Sequence, residues 1–175
     1  DFAGKEDIDC LYSDGAHEYS KAASRIGCAH DSATPGISET NAIAERYVRF
    51  IVNKTRAALH KAAFPPSMWK PAAKHVAVSN NLRTREDGTV PYELRTKVKF
   101  KGHKVPFGAA VDFIPTPARV QSDVEKFESA AAPGVFLGYH THSGGRWSGD
   151  YYVASMETVL LAVTDNNFWA MAEYI

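Results

Sequence analysis

Two carboxylates stand where a folded backbone can hold them still. Ile8–Tyr12 alternates apolar and polar residues and reads as a strand, and Asp14 lies in the SDG turn at its C-terminal edge. Glu45 lies near the start of Ala42–Ala63, a segment with no Gly or Pro and the strongest helix signal in the chain. Along that helix Glu45, Arg49, Asn53, Arg56 and His60 recur at i, i+4, i+8, i+11 and i+15, one polar stripe headed by an acid and continued by bases. Arg46 and Arg49, beside Glu45, are the best candidates for phosphate contacts, because a guanidinium grips phosphate through two parallel hydrogen bonds. The plain alternative is a solvated Glu–Arg pair worth about 0.2–0.5 kcal/mol.

Other reactive types are fewer. His140 and His142 flank Thr141 and could hint at a metal, but no third ligand is near in sequence, which favours a surface turn. Cys10 and Cys28 form neither a CxxC pair nor a disulfide framework, so a reducing, intracellular setting is expected and Cys10 reads as a core residue of its strand. The segment GGRWSGDYY (144–152) reads as a hairpin with Trp147 and Tyr151 packing across it, a nucleic-acid stacking platform being the alternative.

The elements that must position these groups emerge from charge and periodicity. The formal net charge is zero over 175 residues, yet it is segregated. Residues 1–45 carry three basic and nine acidic side chains, 46–104 fourteen basic and three acidic, and 105–175 three basic and eight acidic. A basic middle interleaved with Tyr47, Phe50, Trp69 and Phe100 suits a polyanion such as nucleic acid, or else is a solvated surface. An apolar fraction of 45% is that of a globular chain. No apolar run approaches a membrane span, and no signal peptide is visible. Both ends read as cuts in a longer protein.

A short helix is predicted over His17–Ile26, closed by Gly27, then a loop over 31–41 with Ser38, Thr40 or Asn41 as candidate helix caps. The long helix should bury Ile43, Tyr47, Phe50, Ile51 and Ala58. After Pro65 and Pro66, a second helix over Ser67–Asn81 should bury Met68, Trp69, Ala72, Ala73 and Val76. A polar loop over 82–90 and a helical turn at 91–97, with Pro91 in first position, come next. Short strands are expected at Ala109–Ile114, Gly134–Tyr139, Gly149–Ser155 and Thr158–Val163, spaced as in a small antiparallel barrel or sheet. Phe107, Val135, Leu137, Tyr139, Tyr152 and Val153 should form its core, separate from the helices.

Taken in order, the motifs resemble the integrase region of copia-type LTR retrotransposon polyproteins. YSDGAHEY (12–19) resembles that family's SDNGGEF element, and TPG…TNAIAERYVRF (34–50) resembles TPQQNGVAERxNRT. FPPSMWKPAAKHVAVSNNL (64–82) is similar to the next helix, LPxxFWxxA…NR, and TVPYELRTK (89–97) to TPYELW. VPFGAAVDF (105–113) and APGVFLGYH (132–140) resemble RVFGCxAYV and GIFLGY, from the Src-homology-3-type barrel that follows the core. Six elements in family order cover the chain to about residue 163.

The resemblance implies an α/β fold: a truncated ribonuclease-H-like core with its first strands missing, then helices and a small antiparallel β-barrel. The implied boundaries are 1–63 for the core, 64–105 for a helical and basic connector, 106–163 for the barrel and 164–175 for a truncated tail. It implies DNA integration by metal-dependent phosphoryl transfer, with Asp14 and Glu45 as the second and third of three carboxylates that hold two Mg²⁺ or Mn²⁺ ions. Their carboxylates should lie within reach of one metal. Asn41, Arg46, Arg49, Asn53 and Arg56 are the implied nucleic-acid contacts. Implied partners are DNA, other polyprotein segments and a possible second copy, with no membrane, in a virus-like particle and the nucleus.

The chain departs from the family in several places. The strand bearing the first Asp is absent, 30 residues separate Asp14 from Glu45, which is shorter than usual, and the Asn-Gly-Gly after the strand is replaced. The piece alone is therefore expected to be inactive and to hold metal weakly. Two rivals stand beside the integrase reading: a decayed copy that only binds nucleic acid, and a module that docks on other parts of a polyprotein.

Overall fold

The structure is a computed structural model that describes residues 7–13, 16–33, 42–114, 131–165 and 173–174. Its first unit is built on local signals. Strand β1 (Cys10–Ser13) leads into helix α1 (His17–Ile26), and the chain returns as β2 (Ala29–Ser32), parallel to β1 with Cys10 opposite Ala29 and Ser13 opposite Ser32. Parallel strands need a crossover, and α1 supplies it. Gly27 ends α1 as expected: at φ 80° it is left-handed, and its N–H donates to the Ala23 carbonyl at 2.9 Å. β2 is not among the expected strands, and its second half falls in the 31–41 segment read as loop, since AHDS has none of the β-branched apolar residues that announce a strand. Cys10 is exposed rather than in a core. Burial alternates along β1, with Leu11 and Ser13 half-covered and Cys10 and Tyr12 on the open side.

Helix α2 (Ala42–Ala62) stops where Ala63 turns left-handed at φ 54° ahead of Pro65 and Pro66. A single 3₁₀ turn (Pro66–Met68) then feeds α3 (Trp69–Asn81). The helices form an antiparallel hairpin in which early α2 residues face late α3 residues. The expected apolar side of α2 needs correction. Thr55 and Leu59 are buried and Ile51 and Ala58 partly so, but Ile43 is 77% and Tyr47 56% exposed. A 13-residue partner is about 20 Å long and leaves the first turns of a 21-residue helix of about 31 Å uncovered. The buried face of α3 is also rotated from expectation. Met68, Ala72, His75 and Leu82 lie inward, and Trp69 is exposed.

A turn over 82–90 and helix α4 (Pro91–Thr96), with Pro91 at its start as expected, lead to the sheet. Strands β3 (Ala110–Phe113), β4 (Ala132–Thr141), β5 (Trp147–Ser155) and β6 (Glu173–Tyr174) pair antiparallel in that order. The register sets Phe136 opposite Val153 and Tyr139 opposite Tyr151. The strand expected over Thr158–Val163 is instead helix α5 (Met156–Asp165). Its β-branched residues mimic a strand, but the Ser155 hydroxyl accepts the Thr158 N–H at 3.1 Å and caps a helix.

Phe107, Val135, Leu137, Tyr139 and Val153 are buried as expected and Tyr152 is half-buried, but the sheet is not separate from the helices. Residues 134–139 of β4 are buried on both faces. Val135 and Leu137 join Leu59 of α2, Ala72 of α3 and Val159 of α5 in one cluster. Phe136, Tyr139 and Val153 join Leu82 and Tyr92 in the other. A strand apolar on both faces must be covered twice, and α2 and α3 provide one cover. At that junction Gly108, at φ 77°, approaches so closely that a Cβ would collide with Ala62.

Candidate catalytic and nucleic-acid-binding site

Helix α2 carries the candidate site. Glu45 lies on its first turn and is exposed, as the spacing predicts. Arg49, Asn53, Arg56 and His60 continue the same face, and all are exposed. Arg46 is exposed too, but it lies on the neighbouring face, toward the turn after α3. Asp14 and Asn41 lie outside the described residues, so the expected convergence of Asp14 with Glu45 does as well. The described segment nearest Asp14 is β1, which ends one residue before it, at Ser13.

Beside that strand end is a hydrogen-bonded bridge that sequence reasoning missed. His30 of β2 bridges two hydroxyls, Ser13 Oγ at 2.9 Å from Nε2 and Ser20 Oγ at 3.0 Å from Nδ1. The residues are 17 and 10 positions apart in sequence, so only the β1–α1–β2 crossover brings them together. The bridge ties both strands and the helix at the end of β1.

Among the described residues, no group of three His, Cys, Asp or Glu side chains comes together to hold a metal. Of the two expected metal carboxylates, Glu45 alone falls in the described part, exposed on a helix surface. His140 is taken up by the hairpin: its Nδ1 lies 2.8 Å from Ser148 Oγ and 3.7 Å from Asp150. Trp147 and Tyr151 pack at 5.2 Å between ring centroids, and Phe100 lies 4.9 Å from Trp147. Trp147 Nε1 donates to the Asp150 carbonyl at 2.8 Å. The rings are therefore engaged in holding the hairpin to the basic connector.

The fold also recruits residues read only as polar loop. Arg83 and Arg85 stand across from Arg46 and Tyr47. Their turn is pinned by Asp87, whose carboxylate accepts the Thr89 N–H at 2.9 Å and hydroxyl at 2.7 Å. Those hydrogen bonds, the hydroxyl's first, hold the Asp87 acid below its ordinary pKa.

The chain has a relative among known proteins. It is 28% identical over 129 residues, 71% of its length, to the retrovirus-related Pol polyprotein from transposon TNT 1-94 of Nicotiana tabacum. The likeness supports an origin in a retrotransposon polyprotein. The matched stretch is 9% of the length of that polyprotein. No protein-family model matches the chain, and no solved structure matches it. No helix among the described residues is long and apolar enough to cross a membrane.

Proposed function

We propose that this chain is a piece of a retrotransposon integrase that binds DNA through α2. In this reading β1, α1, β2 and α2 belong to a ribonuclease-H-like core, 64–105 is the connector, and the sheet from residue 106 is the small barrel that follows it. The observation that carries the proposal is Glu45 on the first turn of α2, heading an exposed run of Arg49, Asn53 and Arg56, with Arg46 beside it. Helix backbone holds these groups at fixed spacing, and guanidiniums on such a face neutralise successive phosphates. In the parent enzyme Asp14 and Glu45 would share divalent metal with a first carboxylate supplied from outside this chain. Parent activity, other polyprotein partners, self-association and a setting in particle and nucleus are part of the same proposal.

The test is DNA binding by the purified chain at rising salt, alongside a nicking assay with Mg²⁺ or Mn²⁺. Binding should fall steeply with salt, by a log–log slope of about 0.9 per duplex phosphate neutralised, and no strand should be cut. Replacing Arg49 and Arg56 by Ala should flatten that slope by about 2. Salt-insensitive binding would remove the basic face as a functional surface, and robust metal-dependent nicking would overturn the inactivity of the piece. The exposed Ile43 and Val48 favour one alternative, a surface for another polyprotein segment, which a pull-down that survives Arg49 and Arg56 replacement would support.

A further inference from the structure

The clearest unassigned feature is an open groove of about 800 Å³ between the uncovered start of α2 and the turn that follows α3. One wall is Arg46, Tyr47 and Phe50, and the other holds Arg83 and Arg85. A smaller cleft of about 290 Å³ shares Phe50, Asn80 and Arg83 with it and continues along α2 past Lys54 and Lys61. Side by side, the two carry five cations on their walls. Against them stand Glu86 and Asp87, and one oxygen of Asp87 is already taken by Thr89. Arg46, Arg83 and Arg85 are exposed, and the charge of Arg85 acts on the neighbouring Asp87 carboxylate.

Hydrogen bonds fix the backbone of the turn that carries Arg83 and Arg85. The Arg85 N–H donates to the Thr89 carbonyl at 2.8 Å and the Gly88 N–H to the Arg85 carbonyl at 3.0 Å. Lys104 Nζ holds the Leu82 carbonyl at 2.8 Å where α3 ends. The backbone of this wall is ordered before a ligand arrives, so only the exposed arginine side chains remain to be ordered on binding. On the opposite wall, Tyr47 presents an aromatic ring that is 56% exposed, and Phe50 is half-buried in the floor.

We propose that this groove binds an unpaired stretch of nucleic acid, its phosphates on Arg46, Arg83 and Arg85 and a base stacked on Tyr47. The proposal rests on the reading of α2 as a nucleic-acid-binding helix and assigns a second face of it. Successive residues turn by about 100°, so Tyr47, Phe50 and Lys54 look sideways from the Arg49, Asn53 and Arg56 stripe, and Arg46 lies at the border between the two faces. A duplex offers phosphates, but its base faces are hidden in the stack and give the Tyr47 ring nothing to cover. An acidic peptide would pair with the arginines and leave the ring without a flat partner. Unpaired nucleotides use both the charge and the ring.

The experiment measures fluorescence anisotropy of the full 175-residue chain with a labelled oligothymidine of about 20 nucleotides and with a duplex of equal length. Tyr47→Ala should weaken the single strand roughly tenfold, Tyr47→Phe should keep it, and Tyr47→Ala should leave the duplex within about twofold. Arg83→Ala with Arg85→Ala should lower the salt slope for the single strand by about 0.7 for each phosphate no longer neutralised. All of these side chains are exposed, and unchanged far-ultraviolet circular dichroism confirms that the variants fold. If the Tyr47 and Arg83/Arg85 variants both bind the oligonucleotide like the parent, the groove is not the site. Loss on replacing Arg49 and Arg56 would then leave the α2 stripe standing alone. No binding by the parent would end both readings. Competition by a polyglutamate peptide as strong as that by the oligonucleotide would make the groove a protein site and overturn the proposal.

Discussion

His75 is a polar residue in an apolar place, 8% exposed and ringed by Phe107, Phe136 and Tyr139 at 5.6–5.8 Å. Its Nε2–H donates to the Val105 carbonyl at 3.0 Å, while Nδ1 is buried with no partner. A proton on Nδ1 would place a charge where nothing accepts it, and burial lowers the His75 pKa below 6.5, opposed in part by the Val105 hydrogen bond. The unfolded chain then binds a proton before the folded one does. Stability is full above about pH 6.5 and falls as pH drops through that value toward the folded pKa, where the loss levels off. The thermal midpoint should therefore drop between about pH 7.5 and pH 5.5, and His75→Phe should reduce that drop. Equal pH dependence in parent and variant would refute this account. The importance of His75 was visible only in part. Met68, Ala72, His75 and Leu82 share a helical face, but a histidine among apolar residues does not say which way its face will turn.

At the scale of elements, caps and close approaches decide. Ser155 holds the Thr158 N–H and, through its own hydroxyl, Thr158 Oγ1 at 2.7 Å. Ser155→Ala should cost about 1 kcal/mol and lower the melting midpoint by about 2–4 °C, read by calorimetry. No change would mean that α5 does not depend on this cap. Gly108 combines a left-handed φ with direct approach to Ala62, so Gly108→Ala meets both backbone strain and a collision. A loss of about 1–3 kcal/mol in urea unfolding is expected. Both positions were within sequence range in principle, as a Ser three residues before Thr and a Gly in VPFG, but strand-like Val and Thr in 158–163 outweighed the cap. α2 was legible from end to end because nothing in it interrupts a helix. Its exposed first half was not, because coverage depends on the length of α3.

For the whole molecule, the cluster of Leu59, Met68, Ala72, Phe107, Val135, Leu137, Ala154 and Val159 ties the helical hairpin to the sheet. Burying one such large side chain contributes about 1.5–3 kcal/mol, and a domain's net stability is about 5–15 kcal/mol. Cutting the chain after residue 105 separates Leu59, Met68 and Ala72 from the other five, uncovers one face of the sheet, and should cost an amount comparable to that margin. Residues 106–175 expressed alone should show no cooperative melting transition. A sharp transition from that fragment would restore a self-sufficient β unit.

Periodicity, breakers and charge order determined α1 to α4 and most strands but not α5, and they also gave the α1 cap at Gly27, the place of Glu45 at the head of α2, and a basic middle between acidic ends. These are local properties, set by side-chain spacing and backbone freedom within a few residues. Tertiary structure alone decided that β2 pairs with β1, that His30 meets Ser13 and Ser20, that the sheet shares its core with α2 and α3, and that Arg83 and Arg85 face Arg46 and Tyr47. Each of those joins residues far apart in the chain, and their meeting depends on how apolar faces of unequal length cover one another.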